Sequence, residues 1–316
     1  MSRRHHYVPQ SYLRAWSEDG RRVRVLDTRN GLDKLRGIRD TCVQENFYQV
    51  TDRSNRRHNQ VEAMLAVIDD ETARLLQRLR RWAPGDDIEF DDFMSLAVFM
   101  SLAVVVGLQR NRTPQARRFI AGMSDWPTRR AGQPAQGLIN DYYVDLLFRS
   151  VYESTDQLST RQLELWDDPR GRFITCDQPV ILSSGAGGAP PSMDSSRRVW
   201  WPISPDRLLV LSLDLQCRKV VHRVAGRKDI DEVRGAFVRG AESAIIALAG
   251  DRDLPSGKQL PRRPQLRVDC EPVDSKDREC RMRFGWGYGG ETLDRTCRRL
   301  CAMAGDGPGS RRRSPW

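Results

Sequence analysis

Apolar residues recur at helical spacing in four stretches of this 316-residue chain. Between residues 59 and 82 they return every three or four positions, which predicts an amphipathic helix. The run 93–108 is apolar nearly all round, which is typical of a helix buried on every side. Further helices are predicted over about 135–153 and over 230–248, where the same spacing returns.

Short β-rich runs separated by turn residues indicate strands elsewhere in the chain. One such run alternates over residues 21–26 in the N-terminal fifty residues, and most of the others follow the third helix. The two patterns together predict an α+β fold, a central helical bundle packed against a mainly antiparallel sheet. The predicted strands are 21–26, 46–50, 173–176, 180–182, 199–201, 208–213 and 219–224.

The composition changes near residue 250, which divides the chain into two unequal parts. Residues 1–250 hold all the predicted helices and strands, so we expect a single core α+β domain there. Residues 251–316 are rich in proline and arginine and end in a run of glycine, serine and arginine. That composition predicts a partly disordered extension with a basic C-terminal tail.

The apolar run 93–108 is shorter than the roughly 20 residues that a membrane-spanning helix needs, so we interpret it as a core helix and expect no membrane association. The N-terminus continues into histidine and tyrosine instead of an apolar signal segment. Seven cysteines, an odd number without framework spacing, favour a reducing compartment. These features predict a cytoplasmic protein.

The formal net charge is +10. A basic surface gains affinity for nucleic acid or another polyanion by releasing counterions from the phosphates. Only five of the 52 basic residues are lysine, however, and such an arginine excess also arises from biased base composition. A polyanion partner and an ordinary solvated surface therefore both remain open.

Two of the four histidines, His5 and His6, open the chain. An imidazole titrates near neutrality and is a common metal ligand, so either residue is a candidate for metal binding or general base catalysis. A hydrogen bond to the backbone is the structural alternative. Because adjacent residues of a strand point to opposite faces, we expect only one of them to act, and we favour His6.

The block His5 to Trp16 opens a series of motifs that continues through about residue 248. The further motif residues are Glu45-Asn46-Phe47-Tyr48, Glu62, Gln109, Arg112-Thr113-Pro114, the segment Phe173 to Pro179 and the segment Pro202 to Pro205. In this order the motifs resemble those of the bacterial domain of unknown function 4238 family, with Ser11, Cys176 and Gln178 departing from the family pattern. The resemblance implies an uncharacterised protein and brings no established activity with it.

Two carboxylates complete the candidate chemistry. Glu62 lies beside the apolar stripe of the first long helix, where a carboxylate is costly unless an arginine or a metal pairs with it. Arg112 or Arg14 is the expected partner in the first case. Asp177 follows a predicted strand, where it either bonds the turn ahead of it or serves as a catalytic carboxylate.

Two hypotheses of function follow from these residues. In the first, His6, Glu62 and Asp177 hold Mg²⁺ or Mn²⁺ for phosphodiester hydrolysis, and the protein is a metal-dependent nuclease or related phosphohydrolase. His6 and Arg112 are then the catalytic residues, with Arg112 stabilising developing charge. In the second, the same polar residues are structural, and the protein is a non-catalytic module that binds a nucleotide or a partner protein.

Overall fold

The computed structural model describes residues 3–52, 54–83, 93–130, 140–183, 193, 196–213, 220–255, 260, 264–272 and 280–287. Helices and mainly antiparallel sheets alternate in this part of the chain, which confirms the predicted α+β fold. The helices are α1 (Gln10–Leu13), α2 (Gln60–Arg81), α3 (Phe93–Asn111), α4 (Pro114–Arg130), α5 (Asn140–Ser159) and α6 (Arg227–Gly240).

Two larger sheets carry most of the strands. One has the order β12-β7-β11-β10-β9 and is antiparallel except for the parallel pair β12 and β7, and the other has the order β3-β2-β13-β8. The strands are β1 (Arg4–His6), β2 (Arg22–Asp27), β3 (Asp33–Gly37), β4 (Val43–Glu45), β5 (Val50–Thr51), β6 (Arg57–His58), β7 (Gln162–Asp167), β8 (Thr175–Cys176), β9 (Ile181–Leu182), β10 (Arg198–Ser204), β11 (Arg207–Ser212), β12 (Val221–Val224), β13 (Ala244–Ala247), β14 (Gln265–Pro272) and β15 (Cys280–Gly287).

Three small antiparallel pairs complete the described strands: β1 with β4, β5 with β6, and β14 with β15. The last pair lies inside the extension 251–316, for which the sequence predicts partial disorder. The basic tail after residue 287 lies outside the described residues.

Helix α2 follows the predicted amphipathic pattern, with Leu65, Leu75, Leu76 and Leu79 buried. Its C-terminus is held from the five-stranded sheet, because Arg207 Nη1 donates hydrogen bonds of 2.7–3.0 Å to three carbonyls of the last turn and the residue beyond it. The cation also opposes the negative end of the helix dipole. Arg207 therefore fixes α2 on the sheet.

Helix α3 is the predicted central helix, and it crosses α5 closely at Gly107. A Cβ at that position would lie 2.7 Å from the Cβ of Ser154, so only glycine allows this approach. No helix in the described part of the chain is long and apolar enough to cross a membrane.

No sequence pattern predicts helix α4, because a proline shortly after a helical run is by itself a signal that the helix ends. The proline does end α3, but it also begins the next helix at Pro114. Proline is favoured at the first position of a helix, where its missing N–H would have no partner. Thr113 Oγ1 supports the start by accepting the Ala116 N–H at 3.3 Å.

The helix predicted over 230–248 is wrong in its second half. Helix α6 ends at Gly240, where a Cβ would lie 2.5 Å from Ile181 Cδ1. The following apolar run is β13, a central strand that pairs with β2 on one side and with β8 on the other. A short apolar run buried on both faces has no periodicity that separates a strand from a helix.

Candidate functional site

Strand β1 carries the two N-terminal histidines, and the structure separates their roles. His5 is fully buried, its Nδ1 accepts the Tyr48 N–H at 3.0 Å, and its ring stacks on the Tyr48 ring at 5.9 Å. His5 thus has a structural role, the hydrogen bond to the backbone that was the alternative to metal binding or base catalysis. His6 is only half-buried and lies beside α2.

The main-chain N–H of His6 lies near the Glu62 carboxyl and acts to lower its pKa. Burial lowers the pKa of the His6 imidazole, and the facing carbonyls of Arg39 and Ile38 oppose that shift. Among the described residues, His6 Nε2 and Glu62 Oε2 are buried atoms without a hydrogen-bond partner. The predicted pair of His6 and Glu62 is therefore adjacent through the main chain of His6, and neither His6 Nε2 nor Glu62 Oε2 bonds to the other.

Glu62 and Asp69 lie seven residues apart on the same face of α2. Burial, and next the negative charge of Asp69, raise the pKa of the Glu62 carboxyl to about 7, while Arg112 and the His6 N–H oppose this. Burial also raises the pKa of Asp69, again against the attraction of Arg112. Two carboxylates thus share one guanidinium, and at neutral pH one of them holds a proton for part of the time.

Arg112 is the buried centre of this cluster, with 2% of its side chain exposed. Its Nη1 lies 2.7 Å from Asp69 Oδ1, in an ion pair too bent for a linear hydrogen bond. Its Nε and Nη2 donate to Gln109 Oε1 at 3.0 and 2.8 Å, and its carbonyl accepts the Tyr48 hydroxyl at 2.9 Å. All these contacts hold Arg112 inside the protein.

The expected arginine partner therefore exists, but its direct contact is with Asp69 and its influence on Glu62 is electrostatic. Gln109 extends the network, because its Nε2 donates to the Tyr7 carbonyl at 3.1 Å. We name the four side chains His6, Glu62, Asp69 and Arg112 the acid cluster. It ties β1 to α2 and to the end of α3.

Asp177, the third predicted metal ligand, is fully buried and occupied by other groups. Its Oδ1 accepts the Glu242 N–H at 2.8 Å, and its Oδ2 accepts the N–H and hydroxyl of Ser243, each at 2.7 Å, and the Ala244 N–H at 3.1 Å. Burial raises the pKa of Asp177 to about 6 against these hydrogen bonds. The carboxylate holds the loop between α6 and β13.

The structure thus brings His6 and Glu62 together and gives Asp177 a separate set of partners. Within the described residues, no group of three or more histidine, cysteine, aspartate or glutamate side chains is arranged to hold a metal ion. The predicted Mg²⁺ or Mn²⁺ site is therefore not assembled in that part of the chain. Arg112 is also too enclosed to contact a substrate there.

A pocket of about 320 Å³ lies beside strand β1, on one face of the four-stranded sheet. Its volume is at the lower end of the range of small-molecule sites, about 300–1,000 Å³. Val25, Asp27 and Ala244 contribute from the sheet, and Pro114 contributes the first residue of α4. The other residues around it are Tyr7, Arg29, Arg36, Asp40, Thr41, Cys42, Val43, Gln44, Glu242 and Ser243.

Each acidic residue of this pocket already has an arginine partner. Asp27 binds Arg29 at 2.8 Å, Asp40 binds Arg4 at 2.6 Å, and Glu242 binds Arg118 at 2.6 Å. Three negative charges are thereby matched by three positive ones. The acids of the pocket leave no uncompensated negative charge to repel an anion.

Two further polar groups of the pocket are also engaged, since Ser243 Oγ donates to Asp177 and Thr41 Oγ1 donates to the Gly37 carbonyl at 2.9 Å. The side chains of Arg36 and Gln44 differ from them. Neither makes an ion pair or a side-chain hydrogen bond with the described residues, and both offer N–H donors. The open hydrogen-bonding capacity of the pocket is therefore rich in donors, and the Arg36 charge acts electrostatically on Asp27 and Asp40.

Cys42 contributes a thiol to the pocket and has a φ of 54°, in the left-handed region that residues other than glycine seldom adopt. Burial, and next the negative charge of Asp177, raise the pKa of the Cys42 thiol well above its usual value. A protonated thiol is a weak nucleophile. The Cys42 thiol is thus poorly suited to act as a nucleophile.

Sequence reasoning did not identify this pocket. Its one weak signal is the spacing of Lys34 and Arg36, which puts both cations on the same face of β3, opposite Val25 and Val23. Two of the three arginines that neutralise its acids, Arg4 and Arg118, come from distant segments, so no sequence pattern could single out Arg36. Asp69 belongs to none of the motifs, and only its position seven residues after Glu62 places it on the same face of the helix.

Comparison with known proteins gives one match. A family model described as "Protein of unknown function (DUF4238)" matches residues 4–251. No curated protein and no solved structure matches the chain. The matched range contains the acid cluster, Asp177 and the pocket.

Proposed function

Since the chain belongs to the DUF4238 family of proteins of unknown function, we propose its activity from the geometry: it is a non-catalytic module that binds a small anionic ligand, such as a nucleotide, in the pocket beside β1. The observation that carries the proposal is Arg36. It is the cation of the pocket that has no acidic ion-pair partner among the described residues.

The hydrogen-bonding groups that line the pocket favour an anionic ligand over a cationic one. A cationic ligand would need a free carboxylate, and the three carboxylates of the pocket are paired with arginines. A phosphate or carboxylate group needs donors, which Arg36 and Gln44 supply. Guanidinium groups bind such oxygens in bidentate fashion, so Arg36 gives the site orientation as well as charge.

The contacts of the predicted metal ligands favour a binding function over the phosphodiester hydrolysis of the first hypothesis. His6 and Glu62 meet, but Asp177 uses both of its oxygens in the loop before β13, and Arg112 is held by Gln109 and Asp69. The polar residues of the motifs thus have structural roles that account for their positions. This agrees with the second hypothesis.

Replacing Arg36 tests the proposal directly. We expect Arg36→Ala to weaken binding of sulfate and of adenosine monophosphate by about tenfold or more, because a charge-assisted hydrogen bond is worth roughly 1.5–3 kcal/mol. Isothermal titration calorimetry at low ionic strength measures both affinities.

Arg78→Ala is the matched control, since it removes the same charge from an exposed position on α2 outside the pocket. Equal affinities in the native protein and Arg36→Ala, or equal losses in both variants, would show that the pocket is not the anion site. Absence of any binding to either probe would contradict the proposal as well.

A nuclease and phosphatase panel separates the two hypotheses. With Mg²⁺, Mn²⁺ or Zn²⁺ present, we expect the native protein, His6→Ala and Glu62→Ala to have the same background activity, because three metal ligands do not converge in the described residues. Metal-stimulated hydrolysis that disappears in both variants, at an equal folded fraction, would establish the nuclease instead.

A further inference from the structure

Strand β3 lies at one end of the four-stranded sheet, and no other described strand pairs with its outer edge. Four of its five residues are exposed. The other outer strands of the two larger sheets differ from it, since β8 and β9 are buried at both residues and β12 is mostly half-buried. Among the described residues of these sheets, β3 therefore has the edge that is open to another chain.

The pairing of β3 with β2 shows which main-chain groups face that edge. At one end, the Leu32 carbonyl accepts the Asp27 N–H at 2.8 Å. At the other end, the Ile38 N–H donates to the Arg21 carbonyl at 2.9 Å. Because alternate residues of an antiparallel strand bond to the neighbouring strand, the even-numbered residues of β3 bond to β2 and the odd-numbered ones face the outer edge.

The odd-numbered residues of β3 are Asp33, Leu35 and Gly37. The Gly37 carbonyl is used within the chain, since it accepts the Thr41 hydroxyl at 2.9 Å. The main-chain N–H and C=O groups of Asp33 and Leu35 have no hydrogen-bond partner among the described residues. Their spacing of two positions is the repeat that an added strand would need.

The side chains give this edge a chemical character. Lys34 and Arg36 project from one face of β3, and neither forms an ion pair with the described residues. On the other face, Asp33 is paired with Arg24 at 2.6 Å, while the Leu35 side chain is 49% exposed. A strand added here would meet two positive charges on one face and an apolar side chain on the other.

We propose that the outer edge of β3 binds an extended acidic peptide segment of a partner protein by β-strand addition. The main-chain groups of Asp33 and Leu35 supply affinity, and the side chains of alternate positions select the partner. Acidic residues of the segment lie opposite Lys34 and Arg36, and its apolar residues lie beside Leu35. This inference does not depend on the anion-binding function of the pocket.

The charges of β3 favour a foreign segment over a second copy of this chain. Two antiparallel copies of β3 that pair through Asp33 or Leu35 place a lysine or arginine opposite a like charge, or Asp33 opposite itself. Like charges directly opposite each other destabilise a strand pair, whereas opposite charges stabilise it. The same two cations that hinder self-association therefore suit an acidic partner.

The test measures binding of the fluorescent peptide acetyl-Thr-Glu-Val-Glu-Val-Thr-amide by anisotropy, with the peptide in which lysine replaces both glutamates as its control. Lys34→Glu reports on the edge alone, because Lys34 does not line the pocket, whereas Arg36 does. We expect Lys34→Glu to weaken binding of the acidic peptide by about fivefold or more and to strengthen binding of the lysine peptide. Lys228→Glu, the same change at an exposed position of α6, should leave both affinities unchanged.

A second pair of variants tests the main-chain contacts. Leu35→Pro removes an N–H that faces the outer edge and leaves the pairing of β3 with β2 in place, and Leu35→Ala removes the same side chain but keeps the N–H. We expect Leu35→Pro to bind the acidic peptide about fivefold more weakly than Leu35→Ala. Circular dichroism of both variants verifies that they are folded.

Amide hydrogen exchange locates the bound peptide. Without peptide, the Asp33 and Leu35 amides should exchange faster than those of Lys34 and Arg36, which bond to β2. At a peptide concentration of about ten times Kd, exchange at Asp33 and Leu35 should slow by about tenfold.

Four results would overturn the proposal. They are no binding of the acidic peptide by the native protein, equal binding of the acidic and lysine peptides, binding without added protection at Asp33 and Leu35, and equal affinities of Leu35→Pro and Leu35→Ala. Dimerisation of the native protein that is lost in Leu35→Pro, measured by sedimentation, would show that β3 pairs with its own copy and would overturn the choice of partner. Sulfate affinity is measured separately, so a failure of the pocket leaves these results unaffected.

Discussion

Asp177→Ala is expected to lower the free energy of unfolding by roughly 3 kcal/mol at pH 7, because it leaves several buried donors without an acceptor. Three backbone N–H groups and the Ser243 hydroxyl converge on this fully buried carboxylate. The cost of burying the carboxylate, which raises its pKa to about 6, offsets part of their combined value. Urea denaturation followed by circular dichroism measures the change.

The control is Asp19→Ala, at an exposed turn. Asp19 also accepts hydrogen bonds from two backbone N–H groups, those of Arg21 and Arg22, and from a serine hydroxyl, that of Ser17. Water replaces those bonds at the surface, so we expect a much smaller loss of stability there. Similar losses in the two variants would contradict the assignment of Asp177 as the buried support of the loop before β13.

The pH dependence of Asp177 has a defined sign. Its pKa in the folded protein, about 6, is above the ordinary value of 3.8, so the native state binds the proton more tightly than the unfolded chain. The stability that this protonation contributes is present below pH 4 and is lost as the pH rises through 6. Asp177→Ala removes this contribution, so we expect the stability of the native protein to be the more pH-dependent of the two between pH 4 and 6.

The long helices could be predicted because their apolar spacing repeats over several turns. Helix α2 was expected over 59–82 and is found at Gln60–Arg81, and the apolar run after residue 93 became α3. Strand β7 was missed because burial on both faces removes the alternation that marks a half-buried strand. The run that forms β13 was read as helix for the same reason.

The candidate site was only partly accessible to sequence reasoning. The residue types at His6, Glu62 and Arg112 pointed to a charged cluster, and the structure brings those three together. The sequence could not predict which groups make contact. His6 approaches Glu62 through its main chain, and Arg112 forms its ion pair with Asp69. The pocket depends on tertiary pairs such as Asp40 with Arg4 and Glu242 with Arg118, which no local pattern records.

Arg112→Met is expected to destabilise the protein by about 3–5 kcal/mol at pH 8, the usual cost of removing one partner of a buried ion pair. The substitution keeps much of the side-chain volume and removes the charge. It leaves Asp69 without its cation, Gln109 Oε1 without two donors and Glu62 without an opposing charge. Arg74→Met, which breaks the exposed pair with Glu71, should have little effect.

The loss should depend on pH in a direction that a general packing defect would not produce. Arg112 holds down the pKa values of Glu62 and Asp69, so its removal raises both further above their unfolded values. Protonation at pH 5 then relieves the uncompensated charge, and the difference from the native protein should shrink. The double variant Asp69→Asn with Arg112→Met should be less destabilised at pH 8 than Arg112→Met alone. Equal losses at pH 5 and pH 8 in Arg112→Met would mean that the guanidinium acts through its volume and not through its charge.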